Sequence, residues 1–382
     1  MVPDIREDLK STAWAFRGYN ITNLGRTPEL LEHPAYGPTV ERHLKDASEL
    51  YTAATLRRVD LVKRVQLREE TTLETYGEAV SLIVATALAQ LDLVREFHGL
   101  EFASARLAAG YSLGEVSALV SAGVYPLESL LTPILQLADD CIELARNVRM
   151  GIVFSRGPAL DTVAIEKLCV EVTARNQGTI CISSYLAPNS VLILAQGRSL
   201  DLFKRELKTH FSRQVHLKEN PDRWPPIHTA IVRQKSIPDR DSVMLETVPG
   251  GFQPPSIPII SAITGDDSYN EFNSRSILYD WVDHPQKLWN VIERLLASDV
   301  QRVIHVGPEP NIIPATLKRL SMNITAQLSQ RNLSSLGMRA VSSIVHRRPW
   351  LTHYLSRNAA LLRAPLLEQV ILEDWLLENN PE

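Results

Sequence analysis

A serine between two glycines is the residue pattern of this chain best suited to chemistry. Gly110, Ser112 and Gly114 have the spacing of a nucleophile elbow, a sharp strand-to-helix turn that presents a serine hydroxyl at a helix N-terminus. The backbone comes so close to its neighbours there that side chains two positions before and after the serine are excluded. The pattern predicts acyl chemistry at Ser112, and a plain glycine-rich turn is the alternative that spacing alone leaves open.

Ser112 needs a general base, because an alcohol is a poor nucleophile at neutral pH until a neighbouring group takes its proton. Among the ten histidines, His228 is the best placed by context, since prolines fix the short loop that leads to it. A hydrolase triad with His305 as base and Asp283 as acid is an alternative. The histidines show no paired spacing with cysteines or carboxylates, so no metal site is expected.

The flanking segments supply the elements that an elbow requires. Residues 102–109 predict a short strand before Ser112, and residues 115–122 predict a helix of small and apolar residues after it. An earlier strand, Ala13–Phe16, runs into a turn at Gly18. Helical spacing of apolar residues predicts helices over residues 38–64, 76–97 and 127–144. This alternation indicates an α/β fold.

A different rhythm follows, with strands and helices in the order βαββαβ between residues 150 and 217. That order is typical of a ferredoxin-like unit, a sheet with helices on one face. We therefore predict a small ferredoxin-like subdomain, residues 149–222, inserted into a large α/β subdomain. The large subdomain comprises residues 1–148 and 223–330, including a strand at 259–264, a helix at 285–297 and a strand at 303–306. Residues 331–382 are predicted to form a helical C-terminal extension.

The composition excludes some classes of function. The chain has 382 residues, 45% hydrophobic and 22% charged, with a net charge of -4, so nothing global favours nucleic acid or an anionic membrane surface. The longest uncharged apolar run, Ala79–Leu91, is too short to span a bilayer, and no signal peptide is recognised. Three unpaired cysteines are predicted to be reduced core thiols. A cytoplasmic protein without nucleic-acid or membrane partners is expected.

Several segments in order resemble one family, the malonyl-CoA:acyl carrier protein transacylases and the acyltransferase domains of polyketide and fatty-acid synthases. The segment Gly110–Val124 is similar to their GHSLGEYSAL…AGV stretch, and Cys181–Ile193 resembles a strand-turn-strand of the family. The loop at His228 lies where the family's catalytic histidine is found. Further similar segments are Ile257–Gly265, Val306–Pro308 and Leu317–Leu320.

The resemblance implies an α/β-hydrolase-like large subdomain, a ferredoxin-like small one and an active site between them. It implies a Ser112–His228 dyad, in which a backbone carbonyl orients the histidine and the backbone N–H groups of Leu113 and Tyr19 hold the oxyanion. The implied reaction is a ping-pong acyl transfer in fatty-acid or polyketide synthesis. An acyl-CoA is the donor, the phosphopantetheine thiol of an acyl carrier protein is the acceptor, and no cofactor is permanently bound.

Four residues depart from the family pattern. Arg17 and Tyr19 alter the first turn, and Tyr111 replaces the histidine that precedes the nucleophile. Counting without gaps, Leu137 stands where malonyl-selective members carry the arginine that binds the free carboxylate. The sequence thus predicts either a non-carboxylated acyl group beside Leu137 or malonyl transfer with Arg17 or another basic residue as the replacement cation.

Other interpretations remain open in the sequence. An acyl-thioester or acyl-carrier-protein hydrolase would use the same scaffold, with water in place of the thiol, and an inactive docking protein would not use Ser112 at all. The C-terminal extension carries a cluster of basic and aromatic residues, which predicts a packed helix face or a landing surface for an acidic carrier protein or coenzyme A phosphates. The cluster comprises Arg339, Arg347, Arg348, Arg357 and Arg363 with Trp350 and Tyr354.

Overall fold

The computed structural model describes residues 5–6, 8–335 and 349–381. Strands in this part of the chain form one parallel and one antiparallel sheet. The strands are β1 (Thr12–Phe16), β2 (Leu107–Gly110), β3 (Val148–Ser155), β4 (Ile180–Ala187), β5 (Ser190–Gln196), β6 (Val215–Arg223), β7 (Ile259–Ile260), β8 (Arg302–Val306) and β9 (Glu368–Ile371). The mixed α/β fold class predicted from the sequence is confirmed.

Helices cover the sheets, and α4 and α6 are long helices of the main core. The helices are α1 (Thr27–Glu32), α2 (Gly37–Thr55), α3 (Leu61–Gln66), α4 (Tyr76–His98), α5 (Leu113–Ser121), α6 (Leu127–Ala145), α7 (Thr162–Thr173), α8 (Ser199–His210), α9 (Ile237–Thr247), α10 (Ser274–Trp281), α11 (Leu288–Ala297), α12 (Ile312–Ser335), α13 (Pro349–Leu355) and α14 (Leu372–Glu378).

The parallel sheet has the order β7-β2-β1-β8-β9. Its central strand β1 pairs with β2 on one side and β8 on the other, and all five β1 residues are buried. A parallel strand covered on both faces is expected to read as an uninterrupted apolar run, which is what the residues from Ala13 to Phe16 show. The end of β1 and the end of β2 are neighbours, so the first turn and the elbow begin side by side.

The antiparallel sheet has the order β4-β5-β3-β6. Its chain order is β3, α7, β4, β5, α8, β6, the βαββαβ order that the sequence predicted, and the helices α7 and α8 pack against each other beside it. Apolar residues of both helices and of the strands form a separate small core. This is the ferredoxin-like arrangement.

The helix α4 is the core helix of the larger part. The segment Leu73–His98 is long and apolar enough by composition to cross a membrane, with a mean hydropathy of 1.5, yet 78% of its most apolar window is buried inside the protein. Burial against other protein elements is the pattern of a core helix. The cysteines Cys141, Cys169 and Cys181 are free, and the first two are buried.

Some elements differ from the sequence prediction. The helix predicted over 38–64 is two helices, α2 and α3, because Leu56 adopts a left-handed backbone with φ of 59° after α2. The strand predicted at 259–264 ends at Ile260, where the chain turns through Ser261 and Gly265. Residues 331–382 were predicted to be helical, but they also supply β9, which pairs with β8. That strand carries the last part of the chain back to the parallel sheet.

Candidate active site

Ser112 lies in a strained turn between β2 and α5. Its φ of 55° and ψ of -120° are unfavourable for a residue with a side chain, and such strain is held only by close surrounding contacts. A Cβ on Gly110 would overlap the backbone of Gly114 and Glu115, and a Cβ on Gly114 would overlap the carbonyl of Phe16. The two glycines therefore let β1, β2 and α5 close around the serine.

His228 meets Ser112 from the opposite side. Its Nε2 lies 2.7 Å from Ser112 Oγ, and its Nδ1 lies 2.6 Å from the carbonyl oxygen of Trp281. Because a carbonyl only accepts, Nδ1 carries the proton and Nε2 is left to accept the hydrogen bond of the Ser112 hydroxyl. The backbone of His228 is itself strained, with φ of 66°, and is anchored by its N–H to Val282 O.

Burial keeps the imidazole of His228 neutral. Desolvation lowers its pKa from 6.5 to about 4, and the hydrogen bond to Trp281 raises the pKa only in part. At neutral pH the ring is therefore in the form that accepts a proton. This is the state required of a general base.

Trp281 and Gln286 complete the contacts of Ser112 and His228. Neither residue was predicted from the sequence. The indole Nε1 of Trp281 donates to Ser112 O at 3.2 Å, and its ring stands edge-on to His228 at 4.9 Å. The side chain of Gln286 accepts the N–H of Ser112 at 3.1 Å, while its backbone pairs with β4 through Ser184 and Tyr185. The site thus lies where the two sheets meet. A polar residue directly after Pro285 was the only sequence signal for Gln286.

Two backbone N–H groups flank Ser112 at the positions named for an oxyanion site. Leu113 is the first residue of α5, and Tyr19 follows Gly18 in the first turn. Gly18 packs directly on the elbow, since a Cβ there would lie 3.2 Å from Ser112 Cβ. Within the part of the chain that the structure describes, neither N–H has a hydrogen-bond partner.

The donors of Arg17 are occupied by other groups of the protein, which argues against its predicted role as a carboxylate-binding cation. Its guanidinium is buried and turned toward the base of the first turn. It donates to the carbonyl oxygens of Gly18, Thr22 and Pro308 and to the side chain of Asn23. These acceptors occupy its donors, so Arg17 is not available to a malonyl carboxylate.

Aromatic side chains border the first turn. The ring of Tyr19 packs edge-on against Tyr76 and Trp224, with centroids 5.0 and 5.4 Å apart. Leu137 lies on α6, buried in the same large apolar core that contains Tyr76. Burial raises the pKa of Tyr19 to about 12, so its phenol stays uncharged.

Tyr111 and Glu115 stand on either side of Ser112 in the sequence, and Tyr111 is half-buried whereas Glu115 is fully buried. Burial raises the pKa of the Tyr111 phenol, and the neighbouring Ser184 offsets this in part. Glu115 accepts from the hydroxyl of Tyr269 at 2.8 Å and from the N–H of Ala262 at 3.2 Å, and desolvation raises its pKa to about 7. Glu115 therefore ties α5 to the segment after β7.

The alternative triad is not assembled. His305 lies on β8, where its Nε2 contacts Gln369, and Asp283 pairs with Arg233 and His284. The nitrogen beside Ser112 Oγ belongs to His228. Among the described residues, no group of three or more His, Cys, Asp or Glu side chains is placed to hold a metal ion.

The basic cluster of the C-terminal extension is described only in part. Arg339, Arg347 and Arg348 lie outside the described residues. Arg363 donates to Leu296 O and Val300 O, and Trp350 is buried with its ring edge-on to Trp289. These contacts favour the packed helix face over a landing surface.

Solved structures of similar shape are malonyl-transferring enzymes. FabD from Acinetobacter baumannii is 20% identical with a TM-score of 0.64, and the match covers 79% of this chain and 89% of that one. An acyl carrier protein S-malonyltransferase from Vibrio cholerae is 19% identical with a TM-score of 0.64, covering 95% of this chain and 96% of that one. The chain has the malonyl-CoA:acyl carrier protein transacylase fold.

A third structure with the transacylase fold is a type II polyketide synthase acyl-carrier protein in complex with its malonyl-transacylase. It is 21% identical with a TM-score of 0.61, and the match covers 80% of this chain and 91% of that one. No protein-family model matches the sequence, and a search of curated proteins finds no match. The transacylase fold is thus recognised by shape, at an identity too low to transfer an activity.

Proposed function

We propose that the protein is an acyltransferase that moves an acyl group from coenzyme A to an acyl carrier protein through an acyl-Ser112 intermediate. The observation that carries the proposal is the 2.7 Å contact between Ser112 Oγ and the neutral Nε2 of His228 in a strained elbow. The transacylase fold supports the reaction class, and the carrier-protein complex among the similar structures supports the acceptor.

In the first half-reaction, Ser112 Oγ attacks the thioester carbonyl while its proton passes to His228 Nε2. The N–H groups of Leu113 and Tyr19 stabilise the negative oxygen of the tetrahedral intermediate. The carbon–sulfur bond then breaks, and His228 gives the proton to the departing coenzyme A thiolate. An ester on Ser112 remains.

In the second half-reaction, His228 takes the proton of the phosphopantetheine thiol as its sulfur attacks the ester carbonyl. The bond to Ser112 Oγ breaks, and the proton returns to the serine. The carbonyl of Trp281 holds the imidazole in one orientation in both steps, so that Nε2 serves as base and then as acid.

Ser112 acylation is tested by intact-protein mass spectrometry after mixing with an equimolar set of acetyl-, malonyl- and longer acyl-CoAs. We expect one acyl group to be added to the wild type and none to Ser112→Ala. The matched control is Ser121→Ala, which removes a hydroxyl of α5 that donates to Ser117 O. A wild type that stays unacylated would leave the docking protein as the better interpretation.

The acceptor is tested by adding phosphopantetheinylated acyl carrier protein to the isolated acyl-enzyme. We expect the acyl mass to move from Ser112 to the carrier. Loss of the acyl group at the same rate without any carrier would instead identify a thioester hydrolase.

For the acyl group, we propose an uncharged one. A malonyl carboxylate has no partner at Leu137, which is buried in the apolar core, and none at Arg17, whose donors are occupied. An unpaired buried charge costs several kcal/mol. In the acyl-CoA mixture we therefore expect uncharged acyl groups on Ser112, and exclusive malonylation would contradict this.

A further inference from the structure

Arg17 is a buried charged residue at a position where an apolar side chain could also pack. It is 3% exposed, and desolvation lowers its pKa to about 10, against the raising effect of Glu309, Glu373 and Glu70. Burying a guanidinium is costly unless its donors are satisfied. Every nitrogen of the Arg17 guanidinium donates to an acceptor, so the group is held in a single orientation.

One of these acceptors belongs to a peptide bond of the site. Arg17 Nε donates to the carbonyl oxygen of Gly18 at 2.7 Å. That carbonyl shares its peptide plane with the N–H of Tyr19, and in a trans peptide the two groups point in opposite directions. Fixing the oxygen on the Arg17 side therefore fixes the N–H on the other side. A charged donor on the carbonyl also polarises the peptide and makes its N–H a stronger donor.

The guanidinium is anchored from both sides of the turn. It donates to the carbonyl oxygen of Pro308, a residue that follows β8, and to the side-chain oxygen of Asn23. The backbone N–H of Asn23 in turn donates to Glu70 Oε1 at 2.9 Å. Glu373, which precedes Asp374 in α14, accepts the N–H of Arg26 at 2.9 Å and of Glu309 at 2.8 Å. The segment after β8, the end of the turn and α14 are thus joined around Arg17.

We propose that Arg17 is a positioning residue that orients and polarises the Gly18–Tyr19 peptide, and so sets the oxyanion-binding strength of the Tyr19 N–H. This inference rests on the proposed acyl-Ser112 chemistry. Arg17 touches no reacting atom. It acts through the peptide that lies between its own side chain and Ser112, where Gly18 packs on Ser112 Cβ.

The decisive variant is Arg17→Lys. Lysine keeps the positive charge and the apolar stem, but a methylene stands where arginine has Nε, so the donor to Gly18 O is lost. Removing an oxyanion donor outright lowers kcat by about 100- to 1000-fold, so weakening one should lower kcat for Ser112 acylation by at least about tenfold. KM for the acyl-CoA should change less than about twofold, because the donor acts on the transition state.

Infrared spectroscopy can distinguish polarisation of the Gly18–Tyr19 peptide by Arg17 from a purely structural role of Arg17 in holding the loops together. In acyl-Ser112 carrying a ¹³C-labelled carbonyl, hydrogen bonds from the oxyanion donors lower the infrared stretching frequency. We expect a higher frequency in Arg17→Lys than in wild type. The control is Glu373→Gln, which replaces one of the two acceptor oxygens that hold the same loops and leaves the Arg17–Gly18 contact in place. Its band and kcat should match wild type even if its melting temperature falls.

The outcomes are distinct for the two proposals. A wild type that never acylates on Ser112 contradicts the proposed function itself. Wild-type acylation together with an unchanged carbonyl band and kcat in Arg17→Lys overturns the role of Arg17 alone. If the lysine variant does not fold, Arg17→Met supplies the same measurement without a buried charge, and an equal effect of Glu373→Gln on the band would also overturn the proposal.

Discussion

The two sides of the active site differ in how far they depart from the pattern of the transacylase family. On the serine side, the elbow, His228 and the contacts from Trp281 and Gln286 form a tightly bonded unit. On the side of the first turn and α6, Arg17 supports the turn, Tyr19 packs against aromatic rings, and Leu137 is part of the apolar core. The Ser112–His228 pair and the departures at Arg17, Tyr19 and Leu137 thus lie on different elements, and we expect their effects to be separable.

Removal of the candidate base, His228, should have the largest effect on the rate of Ser112 acylation. We expect His228→Ala to lower the rate of Ser112 acylation by about 10⁴-fold or more, since the serine then has nothing to take its proton. The measurement is a single-turnover rate by quenched mass spectrometry. His305→Gln is the control, because His305 is equally buried but contacts Gln369 rather than the serine. A larger loss with His305→Gln would restore the alternative triad.

A substitution in the elbow should have the second-largest effect, on both the free energy of unfolding and the acylation rate. The Cβ of Gly114→Ala would overlap Phe16 O and Arg17 O, so we expect a loss of about 2–4 kcal/mol in the free energy of unfolding, together with weaker acylation. Chemical denaturation measures this. In Gly123→Ala the new Cβ meets nothing within 4 Å, and the cost should be only about 1 kcal/mol from its φ of 76°. Equal costs would mean that the elbow is not closely packed.

A change at Leu137 should alter the choice of acyl group rather than the rate of the chemical step. We expect Leu137→Arg to raise the ratio of malonyl to acetyl transfer by at least about tenfold, because a guanidinium can pair with the free carboxylate. Competition between the two acyl-CoAs gives the ratio directly. Leu137→Met keeps the site apolar and should leave the ratio unchanged. A folded arginine variant with the wild-type ratio would place the acyl group elsewhere.

The smallest effect concerns pH. The pKa of His228 is lowered to about 4, so the neutral base is present throughout the range above it and is lost only as the pH falls through about 4. At pH 5 about nine-tenths of the rings stay neutral, against a few per cent for a histidine with the usual pKa of 6.5. The acylation rate should thus change little between pH 7 and pH 5. An acid limb near pH 6.5 would show that His228 is solvated.

The sequence predicted what local patterns encode. The elbow, the βαββαβ order and the choice of His228 depend on glycine spacing, strand and helix periodicity and proline-bounded loops, which neighbouring residues determine. The direction of the Arg17 side chain could not be predicted, because its acceptor Pro308 is brought in by β8, 291 residues later in the chain. Gln286 and β9 were missed for the same reason, since their contacts depend on how distant strands align.

The order of the parallel sheet has a consequence for the nascent chain. Among the described strands, β1 comes first in the chain and lies at the centre of the parallel sheet, whereas its neighbour β8 and the next strand β9 come last. One edge of β1 therefore stays unpaired during most of synthesis, and pairings of such high contact order form slowly. The sheet topology therefore leaves the apolar strand β1 without its β8 neighbour until residues 302–306 have been synthesised.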